Sequence, residues 1–549
     1  MTLRPPLGDA PVVARSRSFA PKAGTGPTTA NMPVMRIRWT ALAVAVVASV
    51  GPIAGGPARA AGPLGDYEDQ AYARHDVDNV SRSTWRHTHL FTSPDYEAAM
   101  VPVAADTWLQ GQGTQLEGLR SGRAYVGAGN ILVGGSVGDP RVQNLFPDGV
   151  ATTGVQFLSR TGAKLSGHVW WNARATHAAP GIVITTGSIQ GHEHMYWWAA
   201  KALAAKGFSV FTWDVQGQGQ SDGLGHAPGS SVPTTDGVPA QQNANFDQGT
   251  VDALEFFLST PKAPYAPPGY DAAAVSRAKA AAAANDEHID WVNPLSNKLD
   301  HTRLGLAGHS LGAFAVSEVQ QCSDRSTVWS KLPICDGRSF PIRAVVGWDA
   351  LSAPANANGV PFTPAVPGLN LQADGYFMNP VPSSTAPDPA SHLAAHKVWT
   401  AAGLDTYSAT IRGGIHNEFI QVPYVALGTR YGTDLAEYYT VAWLSRYVAG
   451  DRASTAALLA GPRDNTAYTS SPLLWPTAIG ADYGTGPSNP WNAHHLSARY
   501  LSAFSIHDGI GRRARLVQAT DLRAAAGLSR VGDWPGANAD SVDSVFPAP

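Results

Sequence analysis

Between Val155 and Arg412, short β-branched runs alternate with segments of helical periodicity, and this alternation limits the possible folds more than any other feature. The first two runs, Val155–Ser159 and Lys164–Trp171, flank a glycine-containing turn and predict a β-hairpin. Later runs are separated by helical segments. Such alternation predicts an α/β fold with a mostly parallel sheet and helices on both of its faces. Functional residues are then expected at the carboxyl ends of the strands.

The remaining elements follow from the same two periodicities. The predicted strands after the hairpin are Gly181–Thr186, Phe208–Trp213, Arg303–Ala307, Arg343–Trp348, Leu369–Ala373 and Tyr407–Arg412. The predicted helices are His194–Lys206, Phe246–Leu258, an alanine-rich segment at 272–285, Leu311–Gln321 and His392–Ala402. A late alternating stretch around Tyr500 to Ile506 predicts one more strand.

Composition excludes several classes of protein. The chain has 549 residues, of which 44% are hydrophobic and 15% charged, with a formal net charge of -3. A charged fraction well below the usual ~25% argues against a coiled coil and against charge-driven disorder. The net charge gives no reason to expect a nucleic-acid partner. The 56 glycines and 41 prolines indicate long loops.

The first sixty residues are typical of a targeting segment. Met35-Arg36-Ile37-Arg38 precedes an apolar run from Trp39 to about Val50, and Ala58-Arg59-Ala60 follows it. A basic region, a short apolar region and an A-x-A site predict a secretory signal peptide over about Met35–Ala60. The run is shorter than the ~20 apolar residues of a membrane span. We therefore expect a secreted protein without a stable membrane span, with Met32 or Met35 as a possible start.

Two cysteines, Cys322 and Cys335, enclose a short loop. Secretion would allow them to form a disulfide, and the alternative is a pair of buried thiols. Neither lies near a histidine or a further cysteine at zinc-site spacing, so no metal site is expected there.

The pentapeptide Gly308-His309-Ser310-Leu311-Gly312 matches G-x-S-x-G and lies between a predicted strand and a predicted helix. In that setting the serine occupies a sharp, strained turn, which needs small residues two positions to either side. The turn exposes the hydroxyl and directs the N-terminus of the next helix toward a developing oxyanion. The sequence therefore predicts Ser310 as a catalytic nucleophile.

A serine nucleophile needs a base, and the base needs an orienting acid. His416 follows the last predicted strand of the alternating region and is the predicted base. Asp374 and Asp349 both stand at predicted strand ends between the serine and the histidine. Asp374 follows the second strand beyond the nucleophile, where the acid usually lies, and is the preferred candidate. Asp349 is the alternative acid.

With these motifs, residues from about 150 to 450 resemble the α/β-hydrolase family of serine hydrolases. Thr186–Gly191 occupies the place of that family's oxyanion loop. Lys201–Gly223, which reads KALAAKGFSVFTWDVQGQGQSDG, is similar to the monoacylglycerol-lipase-like branch. Here Gln216 replaces the usual arginine and Thr186 the usual histidine. The resemblance implies oxyanion donors at the backbone N–H groups of Leu311 and Ser188, or of Ile189 instead of Ser188.

His192-Glu193-His194 is the one short pattern that suggests a metal ligand set. Two histidines two residues apart can reach one ion, but the sequence shows no matching cluster elsewhere. We therefore expect these residues to line the oxyanion loop or a pocket wall, with no metal and no cofactor. Trp197, Trp198, Trp213 and Trp348 are expected to pack in the core or to line an acyl pocket.

The sequence thus predicts four regions: a leader with signal peptide at 1–60, an N-terminal extension at 61–150, an α/β-hydrolase catalytic domain at 151–450 and a C-terminal extension at 451–549. The expected activity is cleavage of a small-molecule or lipid-like carboxylic ester through a Ser-His-Asp triad and an acyl-enzyme, as in an esterase or lipase. The alternatives are a secreted peptidase or amidase with the same triad, and a non-catalytic binding protein of the same fold.

Overall fold

The computed structural model describes residues 149–188, 191–222, 243–323, 333–349, 351, 363–373, 393–411, 416–420, 432–460, 499–508 and 516–521. All of them belong to one compact unit, which spans Arg59–Pro549. The predicted signal peptide and residues 61–148 of the predicted N-terminal extension lie outside the described residues. No helix within the described ranges is long and apolar enough to cross a membrane.

The described residues form one sheet of ten strands and seven α-helices. The strands are β1 Val150–Leu158, β2 Lys164–Asn172, β3 Ala179–Thr185, β4 Ser209–Trp213, β5 Leu299–His309, β6 Ile342–Trp348, β7 Gly368–Ala373, β8 Thr406–Ile411, β9 Arg499–His507 and β10 Leu516–Asp521. The helices are α1 Trp197–Ala205, α2 Asn243–Phe257, α3 Ala272–Ala284, α4 Leu311–Val319, α5 Ala394–Ala401, α6 Gly432–Leu444 and α7 Ala453–Ala460. A π-helical turn, Ser445–Ala449, continues α6 directly.

The sheet is parallel at its centre and antiparallel at both ends. Its strand order is β1-β2-β4-β3-β5-β6-β7-β8-β9-β10. The six strands from β4 to β8 in this order run parallel to one another, whereas β1, β2, β9 and β10 pair antiparallel with their neighbours. The predicted α/β fold with a mostly parallel sheet is confirmed.

Both faces of the sheet are covered, as the apolar parallel strands require. Successive residues of β3 show this: Ile182 and Ile184 belong to one hydrophobic cluster, and Val183 belongs to the other. Helices α1, α6 and α7 supply side chains to the first cluster, and α2, α4 and α5 supply side chains to the second. The central strands are therefore buried between two layers of helices.

Two strands after residue 450, β9 and β10, belong to the same sheet. β9 pairs with β8, and β10 pairs with β9. Phe504 and Ile506 of β9 are buried in the same cluster as Tyr407 of β8. The sheet therefore does not end at residue 450, where the sequence suggested the end of the catalytic domain.

The predicted disulfide between Cys322 and Cys335 is confirmed. Both residues are fully buried, and their Cα atoms are 5.5 Å apart. Cys322 lies in the 3-10 turn Gln320–Ser323, which continues α4. The bond therefore ties the end of the helix that follows Ser310 to the chain segment leading into β6.

Candidate active site

The carboxyl ends of the parallel strands bring the predicted functional residues to one edge of the sheet. Ser310 follows β5, Asp349 follows β6, and the oxyanion-loop segment that starts at Thr186 follows β3. His416 begins a 3-10 turn, His416–Phe419, in the connection after β8. This edge is where parallel α/β sheets place their ligands.

Ser310 has the strained backbone that the G-x-S-x-G spacing predicts. Its φ and ψ are 56° and -123°, a conformation that non-glycine residues rarely adopt and that costs about 1–3 kcal/mol. Its N–H donates to the carbonyl of Trp348 at 3.1 Å, and α4 begins at the next residue. A Cβ atom on Gly308 would overlap the carbonyl of Gly312, so the turn requires a glycine there.

Gly312 is required for a different reason. A Cβ atom at this position would overlap the backbone carbonyls of Thr185 and Thr186. The second glycine of the pentapeptide therefore allows the first turn of α4 to approach the end of β3. This close approach brings Leu311, the first residue of α4, to the strand from which the oxyanion loop departs.

His416 is hydrogen-bonded through Nδ1 to Oδ2 of Asp349. The side chains of both residues are only 12% exposed, so the pair is largely shielded from water. A neutral imidazole that donates from Nδ1 keeps a lone pair on Nε2, which is the state a general base needs. Within the described residues, Asp349, the alternative acid suggested by the sequence, is therefore in contact with the predicted base.

The preference for Asp374 as the acid stays a prediction. Asp374 itself lies outside the described residues. Asp349 has a φ of 60°, which a short polar residue such as aspartate tolerates better than most. Its N–H donates to the carbonyl of Leu371 at 2.7 Å, and its Oδ1 accepts from the N–H of Ala373 at 3.1 Å. The end of β7 therefore fixes Asp349, the residue after β6, and leaves Oδ2 for the histidine.

A buried chain of hydrogen bonds connects the oxyanion loop to the base. The N–H of Gly187 donates to Oη of Tyr196 at 2.9 Å, and Tyr196 Oη is 2.9 Å from Nδ1 of His309. His309 Nε2 in turn is 2.9 Å from the carbonyl oxygen of His416. Because a carbonyl only accepts, His309 donates from Nε2 and accepts the Tyr196 hydroxyl proton at Nδ1. All the donors therefore point along the chain in one direction.

His309 fits this arrangement only as a neutral ring. It is 3% exposed, and burial together with the nearby His416 lowers the pKa of His309 well below its usual value. Burial likewise raises the pKa of Tyr196, so the hydroxyl keeps its proton. His309, the residue before Ser310, thus connects the loop of Gly187 to the loop of His416. Apart from its position beside Ser310, no pattern in the sequence indicates this role for His309.

The oxyanion-loop segment is held by Gln218, which belongs to the turn after β4. Its Nε2 donates to the carbonyl of Gly187 at 2.7 Å and to the carbonyl of Gly191 at 2.9 Å. The loop is therefore fixed at both ends of the interval that contains Ser188. Ser188 is partly buried and follows directly on Gly187, while Ile189 lies outside the described residues.

The turn after β4 is organised by the buried carboxylate of Asp214. It accepts from the N–H of Glu193 at 2.7 Å and from the N–H of Gln220 at 2.8 Å. Burial, followed by the negative charge of Glu193, raises the pKa of Asp214 well above its usual value. Asp214 thereby connects the turn that carries Gln218 to the segment that follows the oxyanion loop.

Three of the four tryptophans considered from the sequence are core residues. Trp198, Trp213 and Trp348 are at most 1% exposed. Trp197 is partly buried and packs against the core. Phe314, which the sequence analysis did not single out, is 39% exposed one turn after Ser310 on α4. It is thus an exposed apolar side chain close in the chain to the nucleophile.

One group of side chains within the described ranges has the composition of a metal site. His168, Glu193 and His194 present ligand atoms that all lie within 4.8 Å of one another. The sequence suggested Glu193 and His194 but not His168, because His168 is brought to them from β2 by the sheet.

Neither a scan against protein-family models nor a search of curated proteins found a match to this chain.

Proposed function

We propose that this chain is a secreted serine hydrolase of the α/β-hydrolase type that cleaves carboxylic esters through a covalent acyl-enzyme. The observation that carries the proposal is that Ser310, Asp349 and His416 all lie at the carboxyl edge of the parallel strands. Ser310 has a strained backbone at the end of β5, Asp349 follows the adjacent β6, and Asp349 is hydrogen-bonded to His416. A serine, a histidine and an orienting carboxylate at one sheet edge are the parts that acyl transfer requires.

In this mechanism Ser310 Oγ attacks the ester carbonyl carbon while His416 Nε2 takes the hydroxyl proton. Asp349 holds the imidazole in the correct tautomer and stabilises the imidazolium that forms. The carbonyl oxygen becomes an oxyanion, for which the backbone N–H groups of Leu311 and Ser188 are the proposed donors. His416 then protonates the leaving alcohol, and the acyl group remains on Ser310.

The second half of the reaction uses the same groups. His416 removes a proton from a water molecule, and the resulting hydroxide attacks the acyl carbon. The bond to Ser310 Oγ then breaks, Oγ recovers the proton from His416, and the carboxylic acid leaves. No step needs a cofactor.

Two features support this reaction, one concerning the acyl group and the other the oxyanion. Phe314 leaves an exposed aromatic ring one helical turn beyond the nucleophile. The position of Ser310 at the N-terminus of α4 favours a developing negative charge there. A lipid-like or aromatic acyl chain would bury the Phe314 ring, whereas a short polar acyl group would not.

The test begins with the nucleophile. The secreted form is assayed on p-nitrophenyl esters of graded chain length and on matched p-nitroanilides, which separate esterase from amidase activity. Ser310→Ala should lower kcat by about 10⁴-fold or more and abolish labelling by a fluorophosphonate probe. A variant that keeps the wild-type rate, or a wild-type protein that the probe does not label, would refute the proposal.

A matched pair of variants tests the acid. Asp349→Asn should lower kcat by up to about 10⁴-fold, because the amide favours the wrong tautomer of His416. Asp374→Asn, the control, should have a far smaller effect. The opposite ranking would return the acid's role to Asp374 and leave the rest of the triad in place.

A further inference from the structure

His168, Glu193 and His194 form a compact cluster that shares no residue with the proposed triad. His168 lies on β2, while Glu193 and His194 lie in the 3-10 turn Glu193–Tyr196 that precedes α1. The ligand atoms of the three residues are all within 4.8 Å of one another. The proposed ester hydrolysis uses none of these side chains.

The donor set matches a divalent transition metal. Two imidazole nitrogens and one carboxylate oxygen are ligands that Zn²⁺ takes, at distances of about 2.0–2.2 Å. In a tetrahedral site the ligand atoms are then separated by about 3.4 Å, so the observed spacing needs only small side-chain rotations. His168 Nδ1 is 2.6 Å from Glu193 Oε1, and a metal ion would replace the proton shared between them.

The surroundings already orient the carboxylate as the outer shell of a metal site does. Trp170 Nε1 donates to Thr212 Oγ1 at 3.0 Å, which leaves the Thr212 hydroxyl proton free to point elsewhere. Thr212 Oγ1 donates to Glu193 Oε2 at 2.6 Å. With Oε2 engaged in this way, the other oxygen, Oε1, faces His168.

The cluster combines a fixed interior ligand with accessible imidazoles. The Glu193 side chain is 1% exposed, whereas the His168 side chain is 26% exposed. The His194 ring lies against the Trp197 ring, with centroids 3.9 Å apart. An ion can therefore enter from solvent and keep a water molecule as its fourth ligand.

We propose that His168, Glu193 and His194 bind one divalent transition-metal ion such as Zn²⁺, with water completing the coordination. The ion would cross-link β2 to the turn that follows the oxyanion loop. Because Ser310 is not among the ligands, the site serves the stability of this region. The alternative is that His168 and Glu193 form an ion pair that needs no metal.

The experiment uses the secreted form with any affinity tag removed and with metal stripped by EDTA. Calorimetric titration with ZnCl₂ should give one equivalent bound, and a Zn²⁺ excess should raise Tm by about 3 °C or more. Co²⁺ should bind at the same stoichiometry and give the visible absorption of a low-symmetry four-coordinate site. These readouts do not depend on hydrolase activity, so they can fail independently of the proposed function.

Variants identify the ligands. His194→Ala should weaken Zn²⁺ binding at least about tenfold and remove the Tm increase, while its Tm in EDTA reports whether the fold is kept. Glu193→Gln keeps an oxygen for His168 and Thr212 but loses the charge, and it should weaken binding similarly. His288→Ala is the matched control, because the His288 imidazole is 74% exposed and pairs with Asp290 elsewhere.

Two results would overturn the proposal. One is that the wild-type protein binds no stoichiometric Zn²⁺ and shows no rise in Tm. The other is that His194→Ala binds Zn²⁺ as tightly as wild type and as His288→Ala. The first result would mean that His168 and Glu193 form an ion pair alone, and the second that Zn²⁺ is bound without the proposed three-ligand set.

Discussion

Replacing Tyr196 by phenylalanine tests the hydrogen-bond chain between the oxyanion loop and the base. The hydroxyl of Tyr196 accepts from Gly187 N–H and donates to Nδ1 of His309. Tyr196 and His309 are at most 3% exposed, so the substitution leaves one buried donor and one buried acceptor without this partner. At about 1–3 kcal/mol for each such group, the loss of stability should be about 2–6 kcal/mol.

The same change should affect catalysis. Gly187 precedes Ser188, a proposed oxyanion donor, and His309 donates to the backbone of His416. Loss of a well-placed oxyanion donor costs about 10²–10³ in kcat. Tyr196 positions the oxyanion loop and does not itself bind the oxyanion. For this reason kcat of Tyr196→Phe should fall by about 10–100-fold, with a smaller change in KM. Thermal melting and ester kinetics, both on purified protein, measure the two effects.

Tyr265→Phe is the control. Its buried hydroxyl donates to the carbonyl of Leu158 at 2.7 Å. Tyr265 belongs to a different hydrophobic cluster from Tyr196. It should lose about 1–3 kcal/mol of stability and keep its kcat. If Tyr196→Phe kept wild-type Tm and kcat, or if its kcat fell no further than that of Tyr265→Phe, the chain would have no positioning role.

Three further outcomes are expected. Phe314→Ala should raise KM for long-chain esters by about 5–30-fold with little change for acetate esters, since removing an apolar contact costs about 1–2 kcal/mol; equal effects on both substrates would contradict this. Reduction of the Cys322–Cys335 disulfide, which closes a loop of sequence separation 13, should lower the unfolding free energy by about 3 kcal/mol in denaturant titrations; a Cys322→Ser/Cys335→Ser variant should match the reduced protein. Burial and the neighbouring Glu318 raise the pKa of Asp247 to about 8, so this carboxyl favours folding while protonated and loses that contribution as pH rises toward 8. Because the unfolded carboxyl ionises from about pH 4 upward, Asp247→Asn should melt above wild type at pH 9, by about 1–3 kcal/mol of unfolding free energy, and show a much smaller gain at pH 5; a gain independent of pH would refute the assignment.

The strands and helices of the sheet were predictable because their signals are local. The predicted strand Arg343–Trp348 and the observed Ile342–Trp348 differ by one residue, and the alanine-rich helix is shortened by one residue at its end. Runs of β-branched residues and helical spacing report directly on burial. Ser310 could be predicted from the sequence for a similar reason. The atoms that leave no room for a Cβ at Gly308 and Gly312 lie only a few residues away or on the neighbouring strand.

The acid and the metal-type cluster depend on contacts that sequence spacing does not encode. Counting strands from Ser310 favours Asp374, which lies outside the described residues. The described contact to His416 comes from Asp349, where a positive φ and the end of β7 fix the side chain. His168 meets Glu193 because β2 pairs with β4 and the turn before α1 packs on both. Such contacts become visible only once strand order and register are known.

The antiparallel partner of β8 has a consequence for biosynthesis. The hydrogen-bonding edge of β8 is complete by residue 411, yet β9, which pairs with it, begins at residue 499. During translation the core therefore exposes an unpaired strand until that late segment has been made, and an unpaired strand is a template for aggregation. A fragment ending at residue 450 would keep this exposed edge permanently. β9 and β10 thus close this edge of the nascent sheet.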